Sequence, residues 1–200
     1  MTQSGLPATR FCEYVVHYNS LAEKGFVQWA FYPGMLFQSM ERWWGNGGHR
    51  DKPHEGIDLC LYTDRSGSTR ALDKAARIPV MYRGCVKSII DDYIEKTVFM
   101  SHDIHNDTGS QFYTIYGHVE PLARIKRGVV FEEGAIVASV SGTEDKRLKI
   151  FPHVHISVAW IPESFPAENL EWKIMNESSD IILLNPLDVL NSDYTVLHQT

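Results

Sequence analysis

Phe151-Pro152-His153-Val154-His155-Ile156-Ser157-Val158-Ala159-Trp160 alternates polar or small residues with apolar ones, and the apolar set is rich in β-branched side chains. A two-residue period is the signature of a strand with two unlike faces. It places His153, His155, Ser157 and Ala159 on one face and Val154, Ile156, Val158 and Trp160 on the other. The second face reads as core. The first presents two imidazoles to one space, which a purely structural strand has no need of.

Working outward, His54-Glu55-Gly56-Ile57-Asp58 runs into another short apolar segment, Ile57-Asp58-Leu59-Cys60-Leu61-Tyr62. If the backbone from His54 to Asp58 is extended, these two side chains share a face and converge with one histidine of the later pair when the strands are neighbours. Two nitrogens and a carboxylate oxygen with an open fourth position are the ligands a catalytic Zn²⁺ takes. Between them lies Gln111-Phe112-Tyr113-Thr114-Ile115-Tyr116-Gly117-His118-Val119, an aromatic and β-branched run that delivers His118 beside a glycine. Tyr116 reads as a core tyrosine, with a hydrogen bond to the site as the other reading.

Short β runs separated by glycine turns dominate from Ile57 to Trp160, and helical periodicity is scarce outside Pro186 to Leu190. The expected architecture is mostly β, an antiparallel sandwich or open barrel with few short helices. Two hundred residues with 44% hydrophobic content suit one globular core. The net charge of -6 gives no basic surface for nucleic acid, so none is expected as a partner. No apolar run approaches a membrane span, and Met1 to Ser20 lacks the charged and apolar regions of an export signal. Cys12, Cys60 and Cys85 are odd in number and lack paired metal spacing, so separate thiols are expected.

Elsewhere the expectations are local. Phe11-Cys12-Glu13-Tyr14-Val15-Val16-His17-Tyr18 reads as an added strand, and Gly45 to Pro53 as a loop leading into His54. His102 and His105 border a polar stretch running to Ser110, where a solvated loop is expected. Trp43 and Trp44 fit either a substrate groove or a loop anchored by buried indoles. Pro162 to Ser179 reads as an insertion near the site or a solvated loop, and His17, His49 and His198 have no assigned role.

Taken together, His54 to Asp58, then Tyr116-Gly117-His118-Val119, then His153 to His155 resemble the motif series of the lysostaphin and LytM type of zinc endopeptidases: His-x-x-x-Asp, Tyr-x-His-Leu, His-x-His, in that order. The resemblance runs from about Gly45 to Leu190 and takes in Ile78-Pro79-Val80, Gly84-Cys85-Val86, Thr97 to His102, the paired glycine turns at Gly128 and Gly134, and Asn185 to Leu190. Valine replaces leucine at Val119, and the charged stretch Glu144 to Lys149 stands where the family has a short glycine-rich turn.

The resemblance implies His54, Asp58 and His155 as zinc ligands and His118 and His153 as catalytic residues, either of which can act as base. It implies residues 41–200 as a zinc metallopeptidase domain, with residues 1–40 an extension packed on its core. It further implies hydrolysis of peptide bonds in peptidoglycan crosslinks, in a periplasmic or secreted setting. Two other classes stay open. Some relatives of the fold are non-catalytic metal-binding or regulatory modules, and a His-carboxylate-His set also suits a non-haem Fe(II) oxygenase.

Overall fold

The structure is a computed structural model that describes residues 5–92, 94–141 and 150–198. In chain order the helices are α1 (Phe11–Tyr18), α2 (Trp172–Glu177) and α3 (Leu187–Leu190). The strands are β1 (Phe26–Phe31), β2 (Ile57–Leu59), β3 (Leu61–Asp64), β4 (Thr69–Ala71), β5 (Arg77–Pro79), β6 (Gly84–Asp91), β7 (Lys96–His105), β8 (Ser110–Pro121), β9 (Val130–Phe131), β10 (Ile136–Val140), β11 (Val154–Pro162), β12 (Ile182–Leu184) and β13 (Tyr194–Val196).

The alternation in β11 sets the layers. Val154, Ile156 and Val158 enter the main core, where they meet Tyr116, Val98, Phe31 and Phe11. Ala159 and Ile161 face the other way, into a second cluster with Phe99, Tyr113 and Ile115. A nine-stranded sheet, with β12-β11-β8-β7-β6-β9 as its main path, lies between the two clusters. A four-stranded sheet, β13-β1-β3-β4, packs on the main core. Only β1 and β13 pair in parallel among the described strands, and neither sheet closes into a barrel. The fold is therefore a mostly β, antiparallel, open arrangement.

Phe11–Tyr18 is a helix, not the strand its composition suggested. Phe11 and Val15, four apart, are both fully buried, while Glu13 is exposed between them. That is helical spacing, and burial of one stripe against the sheets outweighs the β preference of Tyr14, Val15 and Val16. The segment after β11 is also more ordered than a solvated loop. It forms α2 and closes the second cluster with Leu170, Met175 and Ile181.

β7 runs on to His105, so His102 lies in a strand and is buried, where a solvated loop was expected. Its ring nitrogens sit 3.1 Å from the Arg83 carbonyl and 2.9 Å from Thr114 Oγ1. Gly84 makes room, since a Cβ there would lie 2.5 Å from the His102 ring. The three cysteines are free. No helix among the described residues is long and apolar enough to cross a membrane. The charged stretch Glu144 to Lys149 lies outside the described residues.

Candidate metal centre

β2 pairs antiparallel with β11 so that Asp58 stands directly opposite His155. Opposed side chains on one face are near neighbours, and Asp58 Oδ1 lies 2.9 Å from His155 Nδ1. His54 arrives differently from the expectation of a continuous strand. The chain bends at Glu55-Gly56, and the His54 backbone pairs instead with Gln38 and Ser39. The bend needs Gly56, whose missing side chain lets the backbone approach β11: a Cβ would stand 2.1 Å from the Ile156 carbonyl oxygen. His54 Nε2 then falls 3.2 Å from Asp58 Oδ1 and 3.1 Å from His155 Nδ1.

The outer nitrogens of these rings are engaged. His54 Nδ1 lies 3.1 Å from the Leu36 carbonyl, which only accepts, so Nδ1 carries the proton and Nε2 the inward lone pair. His155 Nε2 lies 3.0 Å from Ser157 Oγ. Burial alone raises the pKa of the Asp58 carboxyl. The charges of His54 and His153 and the hydrogen bond from His155 outweigh that and hold it well below the usual carboxylate range. An ionised oxygen and two ring nitrogens thus converge across about one hydrogen-bond length, an arrangement satisfied by shared protons or by a cation. Bonds of roughly 2.0–2.1 Å to a tetrahedral zinc put ligand atoms roughly 3.3–3.4 Å apart, close to the spacings here. The donor set fits that ion.

His153 precedes the first residue of β11 and is buried beside this trio, with Nε2 3.7 Å from Asp58 Oδ1. Its Nδ1–H donates to the Phe151 carbonyl at 2.8 Å, which leaves Nε2 as an acceptor. Burial pushes its pKa down to about 4. His118 reaches the same space from β8 through a bulge. A step of two positions along β7, from Lys96 to Val98, matches a step of three along β8, from Val119 to Tyr116, and His118 takes φ of +60°. A non-glycine residue in this left-handed region costs of order 1 kcal/mol or more. The bulge is also where β8 changes partner, from β11 up to Gly117 to β10 from Val119 onward. Tyr116 consequently points into the core, where its hydroxyl accepts from the Met81 N–H at 2.9 Å, while His118 faces the cleft with its ring 4.9 Å from that of His153.

All five residues singled out from the sequence line one cleft of about 310 Å³. Trp44, Arg50, Glu55, Asp92, Ile94, Ile150 and Trp172 complete its wall. The two readings of Trp43-Trp44 divide between them. Trp43 is buried with its N–H on Asp58 Oδ2 at 2.6 Å, and Trp44 faces the cleft under the Arg50 guanidinium, 4.5 Å from its ring. Sequence reasoning passed over Arg50, Asp92 and Trp172, which come from loops and from the segment after β11. Ser157 was legible, since the alternation of β11 already put it on the histidine face.

No family model matches the sequence, and no curated protein matches it. Solved structures do. A mutant of the catalytic domain of the prophage-encoded M23 protein EnpA from Enterococcus faecalis matches at 23% identity and a TM-score of 0.38, over 56% of this chain and 71% of that one. A putative peptidase M23 from Pseudomonas aeruginosa matches at 18% identity and a TM-score of 0.44, over 88% of this chain and 62% of that one. Lysostaphin matches at 12% identity and a TM-score of 0.39, over 66% of this chain and 49% of that one. The chain thus spans less than two thirds of the latter two. The structures the chain is similar to are thus M23 proteins and lysostaphin.

Proposed function

We propose that this protein is a zinc-dependent endopeptidase that hydrolyses peptide bonds in peptidoglycan crosslinks. The observation that carries the reading is the convergence of His54 Nε2, Asp58 Oδ1 and His155 Nδ1 within 3.2 Å of one another, with the outer nitrogens of both rings held by protein oxygens. These three would hold the ion. When bound, zinc lowers the pKa of a water towards about 7 and polarises the scissile carbonyl.

The chain's own groups do the rest. His153 is held by the Phe151 carbonyl in the tautomer whose Nε2 can accept a proton, and His118 stands across the cleft from it. Two imidazoles on either side of a reacting carbonyl can take a proton from the attacking water, return one to the leaving amine and hydrogen-bond the developing oxyanion. Trp44 and Trp172 supply apolar walls for a peptide, and Glu55 and Arg50 supply charge at its edge. A non-catalytic module has no use for His118 and His153 beside a complete ligand set, and an Fe(II) triad leaves both unexplained.

Metal content and turnover of purified peptidoglycan, with and without a chelator, test the reading. The expected result is about one zinc per chain and release of new peptide termini that the chelator abolishes and zinc restores. Stoichiometric iron, or zinc without any hydrolysis of peptidoglycan, overturns it.

A further inference from the structure

Two indoles bracket the His153-Val154-His155 pair. Trp43 stands edge-on to His153, with ring centroids 5.2 Å apart, and Trp172 edge-on to His155 at 4.9 Å. Each N–H goes to a carboxylate. Trp43 reaches Asp58, already placed among the ligands, but Trp172 reaches Asp92, a residue to which neither the motifs nor the reaction gives any part.

Asp92 follows β6 directly, and its side chain is 9% exposed. Oδ2 accepts from Thr97 Oγ1 at 2.8 Å and from Trp172 Nε1 at 3.2 Å, and Trp172 Nε1 is shared with Thr97 Oγ1 at 3.0 Å. The same oxygen stands 3.2 Å from His118 Nδ1. The approach is off the hydrogen-bond line, so Nδ1 lacks an aligned acceptor, and a small rotation of the ring supplies one. Such contacts commonly tighten only once substrate is bound. A buried carboxylate carrying two fixed donors is a rigid post, and a post beside Nδ1 selects one tautomer of the ring.

We infer that Asp92, braced by Thr97 and Trp172, is the positioning residue that keeps the proton of His118 on Nδ1 and turns Nε2 into the cleft. This rests on the peptidase reading for the work of Nε2, although the tautomer itself does not. The left-handed backbone at His118 strengthens the case, because a bulge sets where the ring starts and not how it rotates. The segment after β11 thereby gains a part in the site: Trp172 packs on a ligand ring and fixes the carboxylate that orients the opposite histidine.

The test compares the zinc-loaded full chain with Asp92→Ala, Asp92→Asn and Trp172→Phe. In Asp92→Ala, kcat on a soluble crosslink peptide is expected to fall roughly ten- to a hundredfold, with KM within about twofold and zinc content unchanged. Asp92→Asn keeps an oxygen acceptor and is expected to recover part of that loss, and Trp172→Phe to show a smaller loss in kcat. Nitrogen-15 spectra of labelled histidine give the second readout. His118 is expected as the Nδ1–H tautomer in the native chain and in Asp92→Asn, and as a mixture in Asp92→Ala.

Unchanged kcat in Asp92→Ala, a loss confined to KM, or a native His118 protonated on Nε2 overturns the inference. If Asp92→Ala does not fold, the native tautomer and the Asn variant decide it. If the native protein binds zinc but cleaves no peptide, the peptidase reading fails, and the tautomer of His118 still decides the inference about Asp92.

Discussion

The indole N–H of Trp43 donates to Asp58 Oδ2 at 2.6 Å, so that Oδ1 is the oxygen turned toward His54 and His155. Arg50 Nη2 adds a contact to the same outer oxygen at 3.5 Å. Groups that hold the outer atom of a ligand fix its orientation and are typically worth ten- to a hundredfold in metal affinity. Trp43→Phe keeps the ring against His153 and removes the donor. Zinc affinity measured by chelator competition is expected to fall roughly tenfold or more. An unchanged affinity would show that the opposed strands alone orient Asp58.

Neighbours in one short stretch should behave differently. His155→Ala is expected to lose zinc, because two remaining ligands hold the ion poorly. His153→Ala is expected to keep zinc and lose roughly a hundredfold or more in kcat, as is His118→Ala. Metal analysis and steady-state kinetics on the same preparations check this. Near-normal turnover in both His118→Ala and His153→Ala would remove the histidines from the chemistry.

Gly56→Ala adds one carbon where the Ile156 carbonyl oxygen already stands 2.1 Å from the Cβ position. The clash is with backbone, so β2 must move away from β11 and take Asp58 from His155. The variant is expected to lose a few kcal/mol of stability or more, together with its zinc. Full zinc occupancy with an unchanged unfolding midpoint contradicts this.

Burial lowers the pKa of His102 from an ordinary 6.5 to about 4. Above pH 6.5 the ring is neutral in both folded and unfolded chains and contributes no pH dependence. As pH falls from 6.5 to 4, the unfolded chain takes up a proton that the folded one refuses, so stability falls, by up to about 3 kcal/mol, and the slope ends below the folded pKa. Urea unfolding at pH 7 and pH 4.5 is expected to show a smaller loss for His102→Gln than for the native chain. Equal losses would place the effect elsewhere.

The site was legible where side-chain period and chemistry agree. The stretch from His153 into β11 reads directly, because Val154, Ile156 and Val158 enter the core while His153, His155 and Ser157 alternate with them. His54 meets Asp58 through a bend at Gly56, where strand period predicts a continuous extended backbone. Phe11–Tyr18 misled because aromatic and β-branched residues raise strand preference, while its tertiary position asks for a single buried stripe. Asp92 and Trp172 gave no signal. Their meaning lies in a meeting 80 residues apart in the chain, which no local pattern encodes.

The bulge in β8 works as a phase shift in the strand's count. From Phe112 to Tyr116 the even positions face the core, and Val119 shows that past the shift an odd position does. A strict two-residue rhythm would bury His118 behind Tyr116 and aim Val119 at the cleft. Deleting His118 itself would let Val119 keep its place in the core on a regular count, leaving a better-behaved strand and an emptied site. The irregularity separates a sheet that merely folds from one that presents His118 to the cleft.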